Sequence, residues 1–557
     1  AIEHQRLHGM GEALYAGADK RYGGIVLRAY APVGSHEELL PYLVRRLLEN
    51  GANTSFVHAL LDENIPAAQV VSDPVSAVEA APDRHPKIPL PADIYGAARR
   101  NPPGRDYSTL HGRTLAERAA VAIGAETLKA GPIVNGKMLR APEAPVTSPS
   151  DRSRAIGTVA AATVAHVDQA IAAARAAQPG WDGIGGAARA DVLRAMGDAL
   201  EAWTDRLVAL LSLEAGKTLN DGVAEVREAV DFCRYYATLA EKQFSGPMTL
   251  PGPVGETNQL SLHGRGVFAC ISPWNFPLAI FTGQIAAALA AGNAVLAKPA
   301  EQTSLIAAEA VRLFHEAGLD PALLALLPGD GATVGAALVS HPGIDGVAFT
   351  GGTDTAWAIN RTLAARNGPI VPLIAETGGL NGMFVDTTAL REQVVDDVIL
   401  SAFGSAGQRC SALRILFVPH ESADDLIATL GGALDAQVMG DPSRPSTDIG
   451  PVIDAEARDA LQAHVARLQR EAKILHAKDC GPLAERGDYF GPIIAEIPTP
   501  DFLEREVFGP ILHIYRYHPA ELPQVAGALA ARGYGLTLGI HSRIERFAEE
   551  VRALVPA

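Results

Sequence analysis

The spacing of apolar positions changes along this chain, and the changes mark out its elements. A short β-branched run at residues 25–31 (IVLRAYA), ending before Pro32, predicts a strand. Residues 37–50 follow with apolar side chains at 39, 40, 43, 44, 47 and 48, a helical spacing bounded by Gly51. One such strand–helix unit cannot cover both faces of a parallel strand, so it must dock on neighbours that the chain does not obviously supply. From about residue 60 to 149 the period fades. PKIPLP (86–91) and RRNPPGR (99–105) exclude regular helix and predict a linker with short helices, and NGK at 135–137 predicts a hairpin turn. Helical spacing returns over 167–177 and 188–215, with Gly216 as the stop signal. Cys233 falls within an amphipathic helix and reads as packing. Strands are then predicted at 266–271, 294–297 and 346–349, alternating with helices, which is the pattern of an open parallel sheet.

The Ala- and Gly-rich run 280–297 comes closest to a membrane span. Gln284, Asn293 and two glycines interrupt it, so it reads as a buried helix followed by a strand. A length of 557 residues implies several domains. A net charge of -16 argues against a nucleic-acid partner, because phosphate binding is driven by clustered Lys and Arg. Cys233, Cys270, Cys410 and Cys480 form no C-x-x-C pair, which argues against a structural metal site or disulfide scaffold and fits a reducing cytoplasm. The chain starts at Ala1 without a charged-then-apolar leader, and it reads as a piece of something longer.

The candidate chemistry centres on residues 401–414 (SAFGSAGQRCSALR), where small residues surround Cys410 and Arg409 supplies a positive charge that would favour thiolate. A cysteine is also commonly an inert small hydrophobe, so the rest of the chain must decide. Asn275, in SPWNFP at the end of the 266–271 strand, reads either as a turn residue or as a side-chain donor to an oxyanion. Lys298, in KPAE after the next strand, is placed to bond sugar hydroxyls. Glu301 shares that task or simply opens the helix. Gly351 and Gly352 form a glycine turn at a helix start, suited to pyrophosphate. Three strand-end sites in series imply NAD or NADP. Glu376, in IAETGG after an apolar run, reads either as a buried general base of raised pKa or as a cap or ion-pair partner. Glu506, in EVFGP, is a further carboxylate beside an aromatic.

SPWNFP, KPAE, ETGG, GQRC and EVFGP, in this order, resemble the aldehyde dehydrogenase superfamily from about residue 136 to the end. The resemblance implies an α/β fold with a Rossmann-like NAD-binding domain (135–375) and an α/β catalytic domain (376–557). It implies Cys410 as nucleophile, Glu376 as base, and Asn275 with the Cys410 backbone N–H as oxyanion donors. NAD would be held by Lys298 at the adenine ribose, Gly351 and Gly352 at the pyrophosphate, and Glu506 at the nicotinamide ribose, with Trp274, Glu301 and Phe508 completing the set. Relatives often carry a serine where Gly352 stands.

RLHGMGE (6–12), YAPVGSHE (30–37) and YLVRRLLENGANTSFV (42–57) resemble the end of the (β/α)8 proline dehydrogenase barrel of the proline utilization A family, and PADIYG (91–96) resembles its connector. By residue pattern alone Arg45 and Arg46 are a solvated helix face. By resemblance they grip the proline carboxylate, beside Tyr30 and Glu49, with residues 6–12 near FAD. Residues 1–58 are too few for a closed barrel, so the flavin site is incomplete and no proline oxidation is expected of the chain itself; residues 59–134 form the linker. The combination implies oxidation of glutamate γ-semialdehyde to glutamate, with Ser411 on the substrate carboxylate. The parent protein would also oxidise proline. A cytoplasmic homo-oligomer is expected, with any quinone or peripheral inner-membrane contact made through the missing flavin domain. The chain stops before the family's P-F-G-G segment, which closes the aldehyde pocket. This leaves open a dehydrogenase of other specificity or a non-catalytic nucleotide-binding fold.

Overall fold

The computed structural model describes residues 2–51, 62, 64–71, 73–81, 84–85 and 87–556. Two units divide the chain, Ala1–Pro89 and Leu90–Ala557.

In the first unit, strands Glu3–Leu7 and Val26–Tyr30 pair in parallel, each followed by a helix, Glu12–Tyr22 and His36–Gly51. Among the described residues there are thus two strand–helix units where one was expected. The strand EHQRL is mostly polar and lacks the β-branched run that marked its partner, so its pattern carries no strand signal. Both strands are largely exposed. The expected domain limit at 58/59 lies outside the described residues.

In the second unit the linker region contains a longer helix than expected, Leu110–Gly124, started by Thr109, whose side chain accepts from the Gly112 N–H. Its buried positions are Gly112, Ala116 and Ile123, too sparse and small to produce a periodic signal. Asn135 and Gly136 take left-handed φ values of 49° and 74° and join the antiparallel strands Ile133–Val134 and Lys137–Met138 as a tight hairpin. The 188–215 periodicity belongs to two helices, Gly185–Ala202 and Thr204–Ala215, and Gly216 ends the second at φ 68° with its N–H on the Leu211 carbonyl. Helix Leu219–Gln243 follows, and Cys233 is fully buried on it.

The first large sheet has the order Leu373–Thr377, Gly346–Gly351, Val267–Ile271, Ala294–Lys298, Leu324–Leu326, Ile133–Val134, Lys137–Met138. Its first five strands are parallel. The three central ones are buried at nearly every position because helices cover both faces, which explains their unbroken apolar runs. The second sheet runs Lys473–Ala477, Ile493–Glu496, Ile511–Tyr517, Leu413–Pro419, Asn381–Val385, Leu538–His541, parallel except at its first pair. Each sheet has its own apolar core, one built from residues between 107 and 363 and the other from residues between 380 and 555. No helix among the described residues is long and apolar enough to cross a membrane.

Candidate active site

Cys410 sits between helix Arg391–Phe403 and the central strand Leu413–Pro419 of the second sheet. The chain reaches it through three consecutive left-handed residues: Ser405 (φ 56°), Ala406 (φ 52°) and Gly407 (φ 66°). Two of these carry a Cβ, so the turn is held against its own preference by its surroundings. At Gly407 a Cβ would lie 2.2 Å from the Gly509 carbonyl oxygen, which explains the requirement for glycine. Buried Gln408 donates to the Ser405 and Pro451 carbonyls (3.1 and 3.3 Å) and accepts from the Ile453 N–H (2.9 Å). Asn381 Nδ2 donates to the Cys410 and Ala412 carbonyls at 2.7 and 2.9 Å.

Burial pushes the Cys410 thiol above its ordinary value, and the Glu506 carboxylate acts in the same direction. The backbone N–H groups of Ser411 and Cys410 and the Arg414 guanidinium oppose them. The positive charge expected from Arg409 is otherwise engaged: its guanidinium pairs with Asp221 on helix Leu219–Gln243, tethering the turn to that helix. Ser411 is exposed beside the nucleophile.

Asn275, buried in the loop after strand Val267–Ile271, donates its Nδ2 to the Gln408 carbonyl at 3.0 Å. One amide hydrogen is thus used to aim the group, and the other remains available. The helix that follows, Ala279–Ala290, begins on a carboxylate. Glu225 Oε1 accepts from the Leu278 and Ala279 N–H groups (2.7 and 3.2 Å), and Glu225 is ion-paired to Lys217 at 2.6 Å. The Lys217 ammonium also lies 4.2 Å from the centre of the Phe276 ring.

Glu376 departs from its expected environment. It is exposed rather than buried, because strand Leu373–Thr377 is the edge of its sheet and pairs on one side only. It nonetheless lines the same cavity, about 480 Å³, as Cys410, with Phe232, Tyr236 and Ile280 among the apolar walls.

Two further cavities form a cleft along the ends of the parallel strands. One, of about 410 Å³, is lined by Lys298, Glu301, Trp274, Gly351 and Gly352. The other, of about 260 Å³, shares Trp274, Gly351 and Gly352 and adds Asn275, Cys410, Glu506 and Phe508. Lys298 is 4% exposed, and its Nζ donates to the Pro299 carbonyl (3.1 Å). Burial pulls its ammonium below the ordinary lysine value while Glu301 and Asp330 oppose the shift. Glu301 accepts from the Gly331 N–H at 3.1 Å. A Cβ on Gly351 would lie 2.7 Å from the Phe349 ring, whereas a Cβ on Gly352 would meet nothing within 4 Å. Gly352 precedes helix Thr353–Ala364, whose start carries no side-chain cap, and Gly352 and Thr355 line the cleft, an arrangement suited to an anion. A buried ammonium, a helix start and a carboxylate along one elongated cleft fit a dinucleotide. Burial raises the Glu506 carboxyl, against the pull of Arg414 and the Gly379 N–H. Trp274 and Phe508 meet edge to face at 5.5 Å.

The structure thus brings Cys410, Asn275, Glu376, Trp274, Lys298, Glu301, Gly351, Gly352, Glu506 and Phe508 to linked cavities. Tyr30, Arg45 and Arg46 belong to the first unit. Tyr30 ends strand Val26–Tyr30, and the Arg46 guanidinium lies 5.1 Å from the Tyr42 ring centre. The Glu49 side chain lies outside the described residues. Residue pattern missed Gln408, Arg414 and the Lys217–Glu225 pair. Arg414 had a readable signal, being a charge inside the apolar run LRILFVP.

The aldehyde dehydrogenase family model matches residues 138–555, and the proline dehydrogenase model matches residues 1–59. The chain is 45% identical over 570 residues to the bifunctional protein PutA of Klebsiella aerogenes, covering 99% of this chain and 42% of that protein. It is 31% identical to a 1-pyrroline-5-carboxylate dehydrogenase of Geobacillus sp. (strain WCH70), covering 81% of this chain and 88% of that one. A crystal structure of a bifunctional proline utilization A protein superposes with a TM-score of 0.85 at 48% identity, over 99% of this chain and 53% of the other. A 1-pyrroline-5-carboxylate dehydrogenase from Thermus with bound NAD gives 0.77 at 29% identity, over 81% of this chain and 88% of that one. The chain therefore spans less than half of the curated bifunctional relative it matches.

Proposed function

Since the chain belongs to the aldehyde dehydrogenase family, we propose that it oxidises L-glutamate γ-semialdehyde to L-glutamate, with residues 135–375 binding NAD and residues 376–557 carrying catalysis. The observation that carries this reading is the position of Cys410, which lines both the cofactor-side cavity and the cavity containing Glu376. The Cys410 thiolate attacks the aldehyde carbon, forming a carbon–sulfur bond. Asn275, aimed by the Gln408 carbonyl, and the Cys410 N–H donate to the carbonyl oxygen as it becomes negative. Lys298, Glu301, Gly351, Gly352, Trp274, Phe508 and Glu506 would hold NAD along the cleft, where it would supply the acceptor for the hydride that leaves that carbon. Glu376, open to water at the sheet edge, removes a proton from the water that attacks the resulting thioester, releasing the acid and restoring the thiol. Ser411 holds the substrate's α-carboxylate.

The same reading places Tyr30, Arg45, Arg46 and Glu49 at the end of a proline dehydrogenase barrel within a longer cytoplasmic, homo-oligomeric protein that also oxidises proline with FAD. The match of residues 1–59 and the partial coverage of the bifunctional relative support it.

NADH formation with glutamate semialdehyde, measured against propanal, tests the proposal. The semialdehyde should be preferred, Cys410→Ala should abolish the reaction, and Glu376→Gln should accumulate thioester. A preference for propanal would reassign the substrate, and nucleotide binding without NADH formation would leave a non-catalytic fold.

A further inference from the structure

We propose that Arg414 is a positioning residue for the nucleophile: its buried guanidinium fixes the left-handed turn that presents Cys410 and binds that turn to Glu506. The inference rests on the reading of Cys410 as the attacking group. Arg414 is fully buried, and its guanidinium reaches four acceptors from two separate segments. Nη1 donates to the Gly407 carbonyl at 2.8 Å and the Gly509 carbonyl at 3.3 Å. Nη2 donates to the Arg409 carbonyl at 2.9 Å and to Glu506 Oε1 at 2.8 Å. The Gly407 and Arg409 carbonyls flank the approach to Cys410, whereas Gly509 and Glu506 belong to the segment at the cofactor cleft. A planar fork with fixed donor directions can hold four acceptors in one arrangement, which a lysine ammonium on a flexible stem cannot do.

The backbone of Arg414 is held as well. His513 Nδ1 lies 2.9 Å from the Arg414 carbonyl, and His513 Nε2 lies 2.9 Å from His464 Nε2. A carbonyl can only accept, so His513 carries its proton on Nδ1 and His464 donates to its other nitrogen. The Phe508 ring centre is 5.2 Å from the Arg414 guanidinium carbon, closing the remaining side. The left-handed conformation at Ser405 and Ala406 needs such restraint to persist.

The charged groups bearing on Cys410 are Glu506 and Arg414, with Glu376 lining the shared cavity. Those bearing on Arg414 are Glu506 and Cys410. Removing Arg414 alone would leave the half-buried Glu506 carboxylate without its ion-pair partner, so the comparison is made in a neutral background. In the full chain, Glu506→Gln, Arg414→Met/Glu506→Gln and Arg414→Lys/Glu506→Gln are each alkylated with iodoacetamide across pH, with modification at Cys410 read by peptide mass.

The Met double variant should alkylate at Cys410 about tenfold more slowly at about pH 8 than Glu506→Gln, a shift of about one unit in the thiol. The Lys double variant should recover alkylation to within about twofold, yet keep kcat for aldehyde oxidation about tenfold below Glu506→Gln because the carbonyls are no longer gripped. Equal alkylation profiles and equal kcat across all three variants would overturn the proposal. If the Met protein does not fold, the Lys protein decides: kcat equal to that of Glu506→Gln refutes the positioning role. Oxidation that survives complete alkylation of Cys410 would instead refute the nucleophile reading, independently of Arg414.

Discussion

Replacing Lys217 by methionine should damage the site from a distance, and the size of the effect follows from burial. Lys217 and Glu225 side chains are 4% and 0% exposed and 2.6 Å apart. Glu225 also terminates the N-terminus of helix Ala279–Ala290 through the Leu278 and Ala279 N–H groups. Taking away the ammonium leaves a carboxylate in the core with only two backbone donors, and breaking a buried pair in this way costs about 3–5 kcal/mol. For a core of this size that corresponds to a melting temperature lower by roughly 6–20 °C. Asn275 lies three residues before Leu278, so loss of the helix anchor should also lower kcat more than it raises the KM for NAD. The double variant Lys217→Met/Glu225→Gln removes the uncompensated charge while keeping an acceptor for the helix, and it should recover about half of the lost stability. Calorimetry of the three proteins, with steady-state kinetics, measures both effects. A Lys217→Met protein as stable as the parent, or a double variant less stable than the single, would refute the reasoning.

Other outcomes follow from the same geometry. A Cβ on Gly378 would lie 1.7 Å from Glu506 Oε2, so Gly378→Ala should displace that carboxylate and raise the KM for NAD about tenfold; unchanged NAD kinetics would separate Glu506 from the cofactor. The space beside Gly352 is open, so Gly352→Ser should fold normally and bind NADH more tightly by a few-fold, read by fluorescence titration. Burial pushes the Glu214 carboxyl up to about 8, against the Leu305 and Ile306 N–H groups it accepts from. The native state therefore holds a proton that the unfolded chain has already released. Stability from this group is full below the ordinary carboxyl range and is lost as pH rises from about 4.5 to about 8. Glu214→Gln should flatten that slope in denaturation series, and an unchanged slope would refute the assignment.

Much of the local order is written in single residues. Gly216 stops its helix, and Asn135 and Gly136 turn a hairpin, because each effect depends on the conformation of one or two positions. The parallel strands were legible from apolar runs since burial on both faces leaves no polar alternation. The strand Glu3–Leu7 and the helix Leu110–Gly124 were not, because their buried positions are few and their sequences lack a periodic stripe. At the site, the resemblance marked Cys410, Asn275, Glu376 and Glu506 without describing their surroundings.

The sequence by itself determined the order of the chemistry, the small-residue turn at the nucleophile and the strand-end placement of the cofactor groups. These depend on residue type and on neighbours in the chain. Tertiary structure decided which charges act. Arg409 is adjacent to Cys410 yet is engaged by Asp221, while Arg414 is folded beneath the turn and bears on both Cys410 and Glu506. It also placed Glu376 at an exposed sheet edge and paired Lys217 with Glu225 in the core. The reason is physical: electrostatic influence depends on distance and burial, and both are set by which segments the fold packs together.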